Sequence, residues 1–480
     1  MRVLFVTSEI STLYKRGGLG DVSYSLPIAL AGKGVAVSIA MPHYSAIVAK
    51  DVRCVGQLAV DFNRERELVF LFRTSLPGSA IPVYLFRHPL LNEYDGPDMV
   101  SRFAFFCKAV TELYLFSNEK LGGPYDIVHC HDWHTALVPM LLGDRRKVGK
   151  SVKTIESLRA RTILTIHNLL YQGNVPVSLA SALGVAPGRF HEFHGARGDS
   201  VKLLREGMEY ADRVTTVSPT YAKEILSGSQ GAWFKEVFAR RGDRITGILN
   251  GIDETRWNPR TDKALPLRYS ERTVEPSKRK LKAALQRALR LPPSSVPLFG
   301  FIGRFEWRQK GLDLITAAVK MLPKNAFQLI LLGTGGKPQV ARVARMARKH
   351  DYVAFVNSFD ERLARRIYAG ADVMLIPSKF EPCGLIQMIA MRYGAIPLVR
   401  KTGGLADSVS DKKTGFVFGP YTKTALARKM EEAITLFHST TPEWREMRAR
   451  VMRQDFSWKK QAGKYVELYK SLFEKKRVSI

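Results

Sequence analysis

Cysteine is scarce in this sequence of 480 residues: there are four, at positions 54, 107, 130 and 383, and none forms a Cys-x-x-Cys pair. Such spacing excludes a disulfide scaffold or a zinc ribbon and points to a reducing cytoplasm. Long hydrophobic runs are missing as well. No stretch reaches the roughly 18 to 20 apolar residues that a membrane-spanning helix needs, so no membrane partner is expected. The apolar run at residues 3–6 is too short for a signal peptide and reads as a first strand. Negative charge is in short supply too, with 44 acidic residues against 74 basic ones and a formal net charge of +30. A nucleic-acid binder would gather that charge on one element beside base-reading partners. Here it is spread over residues 145–153, 278–282, 342–349 and 475–477, with no zinc-finger, RRM or KH signature. Specific nucleic-acid binding is therefore disfavoured, and an anionic ligand on a generally basic surface is favoured. No repeat of 20 to 50 residues and no low-complexity tract occurs.

What is present is the composition of a packed globular protein, 45% hydrophobic and 10% aromatic. The length allows two domains, since single cores stop growing near roughly 250 to 300 residues. Strand-like runs at 35–41, 125–131, 161–167, 213–218 and 245–250 alternate with helical patterns at 22–31, 99–116, 135–142 and 201–211. That alternation predicts a parallel sheet covered on both faces. Residues 143–159 read as a basic, weakly patterned surface segment. After Gly251-Ile252-Asp253 the composition shifts, and Pro259, Pro266 and Pro276 mark a linker. The alternation then restarts, with a basic helix at 277–291, strands at 298–302, 328–332, 353–356, 373–377 and 395–399, and helices at 312–322, 338–349, 361–369 and 385–393. A helical tail follows from 422, with Trp444, Phe456, Trp458, Tyr465, Tyr469 and Phe473 as anchors. The expected division is a first domain at 1–253, a linker at 254–276, a second domain at 277–455, and a helix at 456–480 that crosses back to the first domain.

Lys15-Arg16-Gly17-Gly18-Leu19-Gly20-Asp21 lies between the first strand and the first helix, where a doubly wound sheet receives phosphate. It returns as Lys401-Thr402-Gly403-Gly404-Leu405-Ala406-Asp407, with five of seven positions unchanged. His129-Cys130-His131-Asp132-Trp133-His134 crowds metal-ligating types into six residues. Strand alternation, however, sends His129 and His131 to one face and Cys130 to the other, which argues against a metal. Asp132, at the strand end, suits either an acceptor for substrate hydroxyls or a helix N-cap. His167, followed by Asn168-Leu169-Leu170-Tyr171-Gln172-Gly173, suits an orienting group or a catalytic one. In Gly303-Arg304-Phe305-Glu306-Trp307-Arg308-Gln309-Lys310-Gly311, Arg304 and Lys310 suit a diphosphate leaving group, against the plain reading of a solvated basic loop. In Ser378-Lys379-Phe380-Glu381-Pro382-Cys383-Gly384-Leu385, Glu381 precedes a helix and suits sugar hydroxyls, with the amides that follow receiving phosphate; its plain role is to complement the helix dipole. A glycosidase would want a second flanking carboxylate. It would also leave Arg304 and Lys310 without a task.

Taken together these blocks resemble the bacterial glycogen synthases and plant starch synthases. Further matching blocks are Val217-Ser218-Pro219-Thr220-Tyr221-Ala222, Leu249-Asn250-Gly251-Ile252-Asp253 and Tyr368-Ala369-Gly370-Ala371-Asp372, and the likeness covers nearly the whole chain. It implies an α/β fold of two Rossmann-like domains facing a central cleft, the glycosyltransferase B-type. It implies transfer of glucose from ADP-glucose to the nonreducing end of an α-1,4-glucan such as glycogen, with retention, no metal and no cofactor. It casts Arg304 and Lys310 as diphosphate binders and Glu381 as the sugar-holding carboxylate. Lys15, Gly18, Asp21, Cys383, Gly384 and Leu385 become donor contacts, Asp132 and Asn250 contact glucose or acceptor, and the backbone carbonyl of His167 sits beside the anomeric carbon. Three positions depart from the family pattern: Arg16 and Ile386, each in place of threonine, and Phe359 in place of tyrosine. The competing readings are a related transferase using UDP-glucose or another acceptor, and a glucan- or nucleotide-binding protein without turnover.

Overall fold

In the computed structural model, residues 1–116, 121–148, 160–177, 190–191, 200–227, 232–241, 245–307, 309–439 and 441–474 are described. The basic stretches at 149–159 and 475–477, and Arg308, lie outside them. The chain divides into two units. The first holds Met1–Val217, Ala222–Gly251 and the last helix; the second holds Ser218–Tyr221 and Ile252–Ser457.

The strands of the first unit are β1 (Arg2–Val6), β2 (Ala36–Pro42), β3 (Arg53–Phe62), β4 (Glu65–Ser75), β5 (Pro82–Arg87), β6 (Ile127–His131), β7 (Arg161–Ile166), β8 (Asn174–Pro176), β9 (Ser200–Lys202), β10 (Arg213–Thr216) and β11 (Ile245–Gly247). Its helices are α1 (Gly18–Ala31), α2 (Met99–Phe116), α3 (Leu137–Val148), α4 (Leu203–Tyr210), α5 (Pro219–Leu226), which starts on the second unit's residues, and α6 (Ala232–Arg241). Nine strands form one sheet in the order β11-β10-β7-β6-β1-β2-β5-β4-β3. The apolar run that predicted a first strand becomes its centre, with Val3 to Val6 fully buried between helices on both faces.

Two expectations are corrected here. The sheet is not wholly parallel: β3 pairs antiparallel with β4, and β4 with β5. This hairpin escaped notice because its outer face is exposed, including Leu68 and Phe70, so the alternation is imperfect. Helix α3 also runs to Val148, into the stretch read as weakly patterned.

The second unit carries α7 (Val274–Ala288), β12 (Leu298–Ile302), α8 (Leu312–Ala318), β13 (Gln328–Gly333), α9 (Lys337–Lys349), β14 (Val353–Asn357), α10 (Glu361–Gly370), β15 (Val373–Ile376), α11 (Ile386–Arg392), β16 (Ile396–Arg400), α12 (Gly403–Ser408), β17 (Phe416–Phe418), α13 (Lys423–His438) and α14 (Glu443–Met452). Its sheet, β14-β13-β12-β15-β16-β17, is parallel throughout. Residues 254–276, read as a linker, carry buried Asp262, Leu265 and Tyr269, and Arg365 donates to Asp262 at 3.0 Å.

Helix α15 (Trp458–Ser471), last in sequence, packs on α1 in the first unit. Trp458, Ala462, Tyr465 and Tyr469 join Val3, Phe5, Val22 and Leu26 in one core. Burying each large side chain contributes on the order of 1.5 to 3 kcal/mol. In each sheet the strand order reverses beside one central strand, β1 or β12, and side chains placed after the carboxyl ends of those strands converge.

Candidate active site

Beyond the end of β1, Thr7, Ser8 and Glu9 are buried although polar. The Glu9 carboxylate accepts the backbone N–H groups of Arg16 and Gly17, the second at 2.8 Å, and so draws the glycine turn onto the strand end. Burial raises the Glu9 pKa, against the opposing pull of those two amides and Lys15. Lys15 Nζ donates to both carboxylate oxygens of Asp21, at 2.8 and 2.7 Å. Asp21 stands in the first turn of α1, where the helix dipole favours a negative charge. A Cβ built on Gly18 would meet no atom within 4 Å, whereas one on Gly20 would press at 3.3 Å on both Glu9 Oε2 and the Ser11 nitrogen. Gly20 thus serves packing, and Gly18 leaves its backbone approachable.

Strand β6 pairs with β1 on one side and β7 on the other, so the residues after each are neighbours. Asp132 adopts φ 57°, a left-handed conformation that non-glycine residues rarely take. Its Oδ1 accepts the N–H of His167 at 2.6 Å and of Asn168 at 3.3 Å, so it ties the ends of β6 and β7 together and makes no side-chain cap for the turn Trp133–Thr135. Burial pushes its carboxyl up to about 7, with the two amides opposing and Glu9 adding to the rise. His167 Nε2 lies 3.0 Å from His131 Nδ1. The His131 ring is flanked by Phe5 at 4.0 Å and His129 at 4.2 Å. His129 in turn bonds Tyr469 of α15 at 2.8 Å and Thr165 at 2.7 Å. Burial holds His129, His134 and His167 down at about 3, and His131 well below its usual range, so the cluster is uncharged at neutral pH. Among the described residues no group of three or more His, Cys, Asp or Glu is arranged to hold a metal ion. Asn250, beyond β11, is 5% exposed, and its side-chain oxygen has no hydrogen-bond partner among the described residues.

In the second unit, Arg304 follows β12 and donates to Gln309 at 3.3 Å. Lys310 Nζ and Glu381 Oε2 form an ion pair at 2.7 Å, and Ser378 Oγ donates to the same oxygen at 2.9 Å. Glu381 is buried, so that pairing keeps its charge compensated. Gly311 holds φ 70°, and a side chain there would collide with the carbonyl oxygen of Pro377, which explains why glycine stands between Lys310 and α8. The Lys379 N–H donates to the Gln309 carbonyl at 2.7 Å and locks the two loops together. Cys383, Gly384 and Leu385 lead into α11 at its N-terminus, a place where backbone amides face an approaching anion.

Residues 2–240 match the family model described as starch synthase catalytic domain, and residues 285–447 match glycosyl transferases group 1. A glycogen synthase of Moorella thermoacetica is 38% identical, covering 100% of this chain and 98% of its own length. One from Anaeromyxobacter sp. is 41% identical, covering 98% and 99%. This chain belongs to the starch and glycogen synthase family of glycosyltransferases. The solved catalytic domain of starch synthase IV from Arabidopsis thaliana, bound to ADP and acarbose, superposes with a TM-score of 0.87 at 33% identity, covering 98% of this chain and 99% of that one. A sucrose-phosphate synthase from Thermosynechococcus elongatus, at TM-score 0.61 and 19% identity, shares the fold.

Within this starch and glycogen synthase chain, the structure gathers Lys15, Gly18 and Asp21 in one turn of the first unit, and Asp132 beside His167 in the same unit. In the second unit it gathers Arg304, Lys310, Glu381, Cys383, Gly384 and Leu385. Of the departures, Arg16 pairs with Asp95 and lies 5.8 Å over the Tyr94 ring. Ile386 opens α11, and Phe359 is 84% exposed. Sequence reasoning missed Glu9, the His131 contact, Gln309 and Ser378. A signal for Glu9 existed: polar Thr7-Ser8-Glu9 directly behind a buried central strand must find partners inside. Gln309 and Ser378 gave none, because their roles depend on a neighbouring loop.

Proposed function

We propose that this chain transfers glucose from ADP-glucose to the nonreducing end of an α-1,4-glucan with retention of configuration, in the cytoplasm. The observation that carries this reading is the full-length relation to glycogen synthases, together with the ADP and acarbose held by the starch synthase IV relative. In the reaction the bond between the sugar's anomeric carbon and ADP breaks and a bond to the acceptor hydroxyl oxygen forms. The hydroxyl's proton leaves with the ADP phosphate. Arg304 and Lys310 stabilise the negative charge that grows on the diphosphate as the bond lengthens, a task worth most where the cations are already positioned. Lys310 is positioned by its pair with Glu381. The amides of Cys383, Gly384 and Leu385 and the open backbone at Gly18 take further phosphate oxygens, with Lys15 and Asp21 shaping that turn. Glu381 holds sugar hydroxyls, and the unpartnered Asn250 oxygen fits a hydroxyl donor.

His167 enters neutral and therefore as a weak base, which suits a carbonyl-and-imidazole contact with the sugar better than proton abstraction. Its tautomer follows from His131, whose Nε2 is buried without a partner among the described residues. A buried N–H without an acceptor is rarer than an under-used acceptor. We therefore infer that His131 is protonated at Nδ1 and donates to His167 Nε2, leaving the His167 proton on Nδ1. Asp132 fixes the same loop by its two amide bonds.

Glucose incorporation into glycogen, measured with ADP-glucose and UDP-glucose side by side, tests the reading. Incorporation from ADP-glucose at a higher kcat/KM supports it; a clear preference for UDP-glucose, or no incorporation from either, overturns it. E381A should lower kcat by roughly 10²- to 10³-fold, the size expected for loss of a preorganised electrostatic contact, while circular dichroism stays unchanged. Near-normal turnover in that variant removes Glu381 from the chemistry.

A further inference from the structure

Glu381 stands in the second unit on a loop that follows β15, and the backbone of that loop is fixed from several sides. The Pro377 carbonyl oxygen occupies the place where a side chain at Gly311 would fall. The Lys379 N–H donates to the Gln309 carbonyl at 2.7 Å, and Arg400 donates to the Lys379 carbonyl. The Gly404 N–H donates to the carbonyls of Glu381 and Pro382. With the backbone held, the freedom that remains is rotation of the Glu381 side chain, which decides the carboxylate oxygen that meets a ligand.

Two donors settle that rotation. Lys310 Nζ and Ser378 Oγ both meet Oε2, at 2.7 and 2.9 Å. A carboxylate oxygen offers roughly two lone-pair sites, so Oε2 is filled. Oε1 makes no hydrogen bond among the described residues, and it is not sealed from solvent. Lys310 by itself does not choose between the two oxygens, because an ammonium is a point charge on a flexible stem that either one satisfies. Ser378 makes the choice. Its side chain is fully buried, and its hydroxyl, three residues before the carboxylate in sequence, reaches Oε2. Among the described residues Glu381 is the one hydrogen-bond partner of Lys310 Nζ, so two of the three N–H groups of that ammonium stay available to an anion.

We propose, on the reading of Glu381 as the sugar-holding carboxylate, that Ser378 is a positioning residue for the transfer: it holds Oε2 against Lys310, so that Oε1 is the oxygen that takes a sugar hydroxyl while Lys310 keeps two N–H groups for the diphosphate. Ser378 therefore acts on the sugar-bearing donor and not on the diphosphate by itself. Turnover on glycogen with ADP-glucose, or with UDP-glucose should the wild type prefer it, tests this beside isothermal titration with the matching diphosphate, ADP or UDP. S378A should lower kcat by about tenfold or more, as expected for loss of a hydrogen bond to a charged group, and should bind the diphosphate as the wild type does. Should S378A melt early, S378T and S378V decide the question. Both add the same bulk and threonine alone keeps the hydroxyl, so S378T should turn over about tenfold faster than S378V. An S378A kcat near wild type, a parallel loss of kcat and diphosphate affinity in S378A, or equal turnover in S378T and S378V overturns the proposal. E381A separates its failure from that of the reading beneath it: near-normal turnover in E381A removes both, whereas a crippled E381A beside an unimpaired S378A removes Ser378 alone.

Discussion

Around Gly17-Gly18 the backbone is gripped from one side by the Glu9 carboxylate, and the Gly18 position otherwise stands open. Around Gly403-Gly404 a nearly identical string is pressed against another loop: a side chain at Gly403 would fall on the carbonyl oxygen of Glu381, and one at Gly404 on that of Cys383. The Gly404 N–H donates to the carbonyls of Glu381 and Pro382, at 3.1 and 3.2 Å. The acids at the two ends diverge in the same way. Asp21 pairs with Lys15 inside its own turn, whereas Asp407 accepts the Thr220 N–H at 2.8 Å and its hydroxyl at 2.7 Å. One glycine pair therefore leaves its backbone open. The other serves as a bearing for the Glu381 loop. Close packing requires glycine in the second turn, whereas the first leaves room beside Gly18, and the residue pattern alone does not distinguish these settings.

That contrast can be broken by substitution. Gly404→Ala should have the largest effect, destabilising the chain by about 3 kcal/mol or more, since a methyl group cannot share space with backbone; a thermal melt near wild type would show that the second turn is not packed as described. Glu9→Ala comes next, leaving two amides of the first turn unpaired at a cost of roughly 1 to 3 kcal/mol. Kinetics should show a clear rise in the KM for ADP-glucose, because the turn loosens. Gly18→Ala should be the gentlest, within about 0.5 kcal/mol of wild type in stability, yet with a several-fold higher donor KM. A KM unchanged in Gly18→Ala would place the donor phosphates elsewhere.

Asp132 sharpens the account of the first unit through pH. Its folded pKa, about 7, lies above that of an unfolded aspartate near 4, so between those values the folded state binds more protons. Its contribution to stability is therefore fully present below pH 4 and lost as pH rises through 7. Asp132→Asn, which keeps an oxygen for the two amides, removes that dependence, so its melting temperature should gain on wild type between pH 5 and pH 8. A constant gap across that range would mean Asp132 ionises normally.

Strand and turn signals were readable because they are local. A buried strand must be apolar for its whole length, as β1 and β12 are, and a turn into a helix must be glycine-rich where backbone is approached. The β3–β4 hairpin was not readable, since one exposed apolar face hides the alternation. Arg304, Lys310, Glu381, Asp132 and His167 stood out as residue types behind strand ends. Their partners did not: Lys310 meets Glu381 across 71 positions of sequence, and Asp132 meets the His167 amide across 35.

By itself the sequence determined the two α/β halves and the family to which they belong, and it singled out the loops proposed to carry the chemistry, because each is written in patterns shorter than a single strand-turn-helix. The tertiary structure decided which glycine pair stays open and which is packed, that the Lys310 charge rests against Glu381, and that Tyr469 of the final helix closes on His129 across 340 positions. Those outcomes depend on which strands lie side by side, and a buried charge or amide takes its character from neighbours that only the folded chain brings within hydrogen-bond distance.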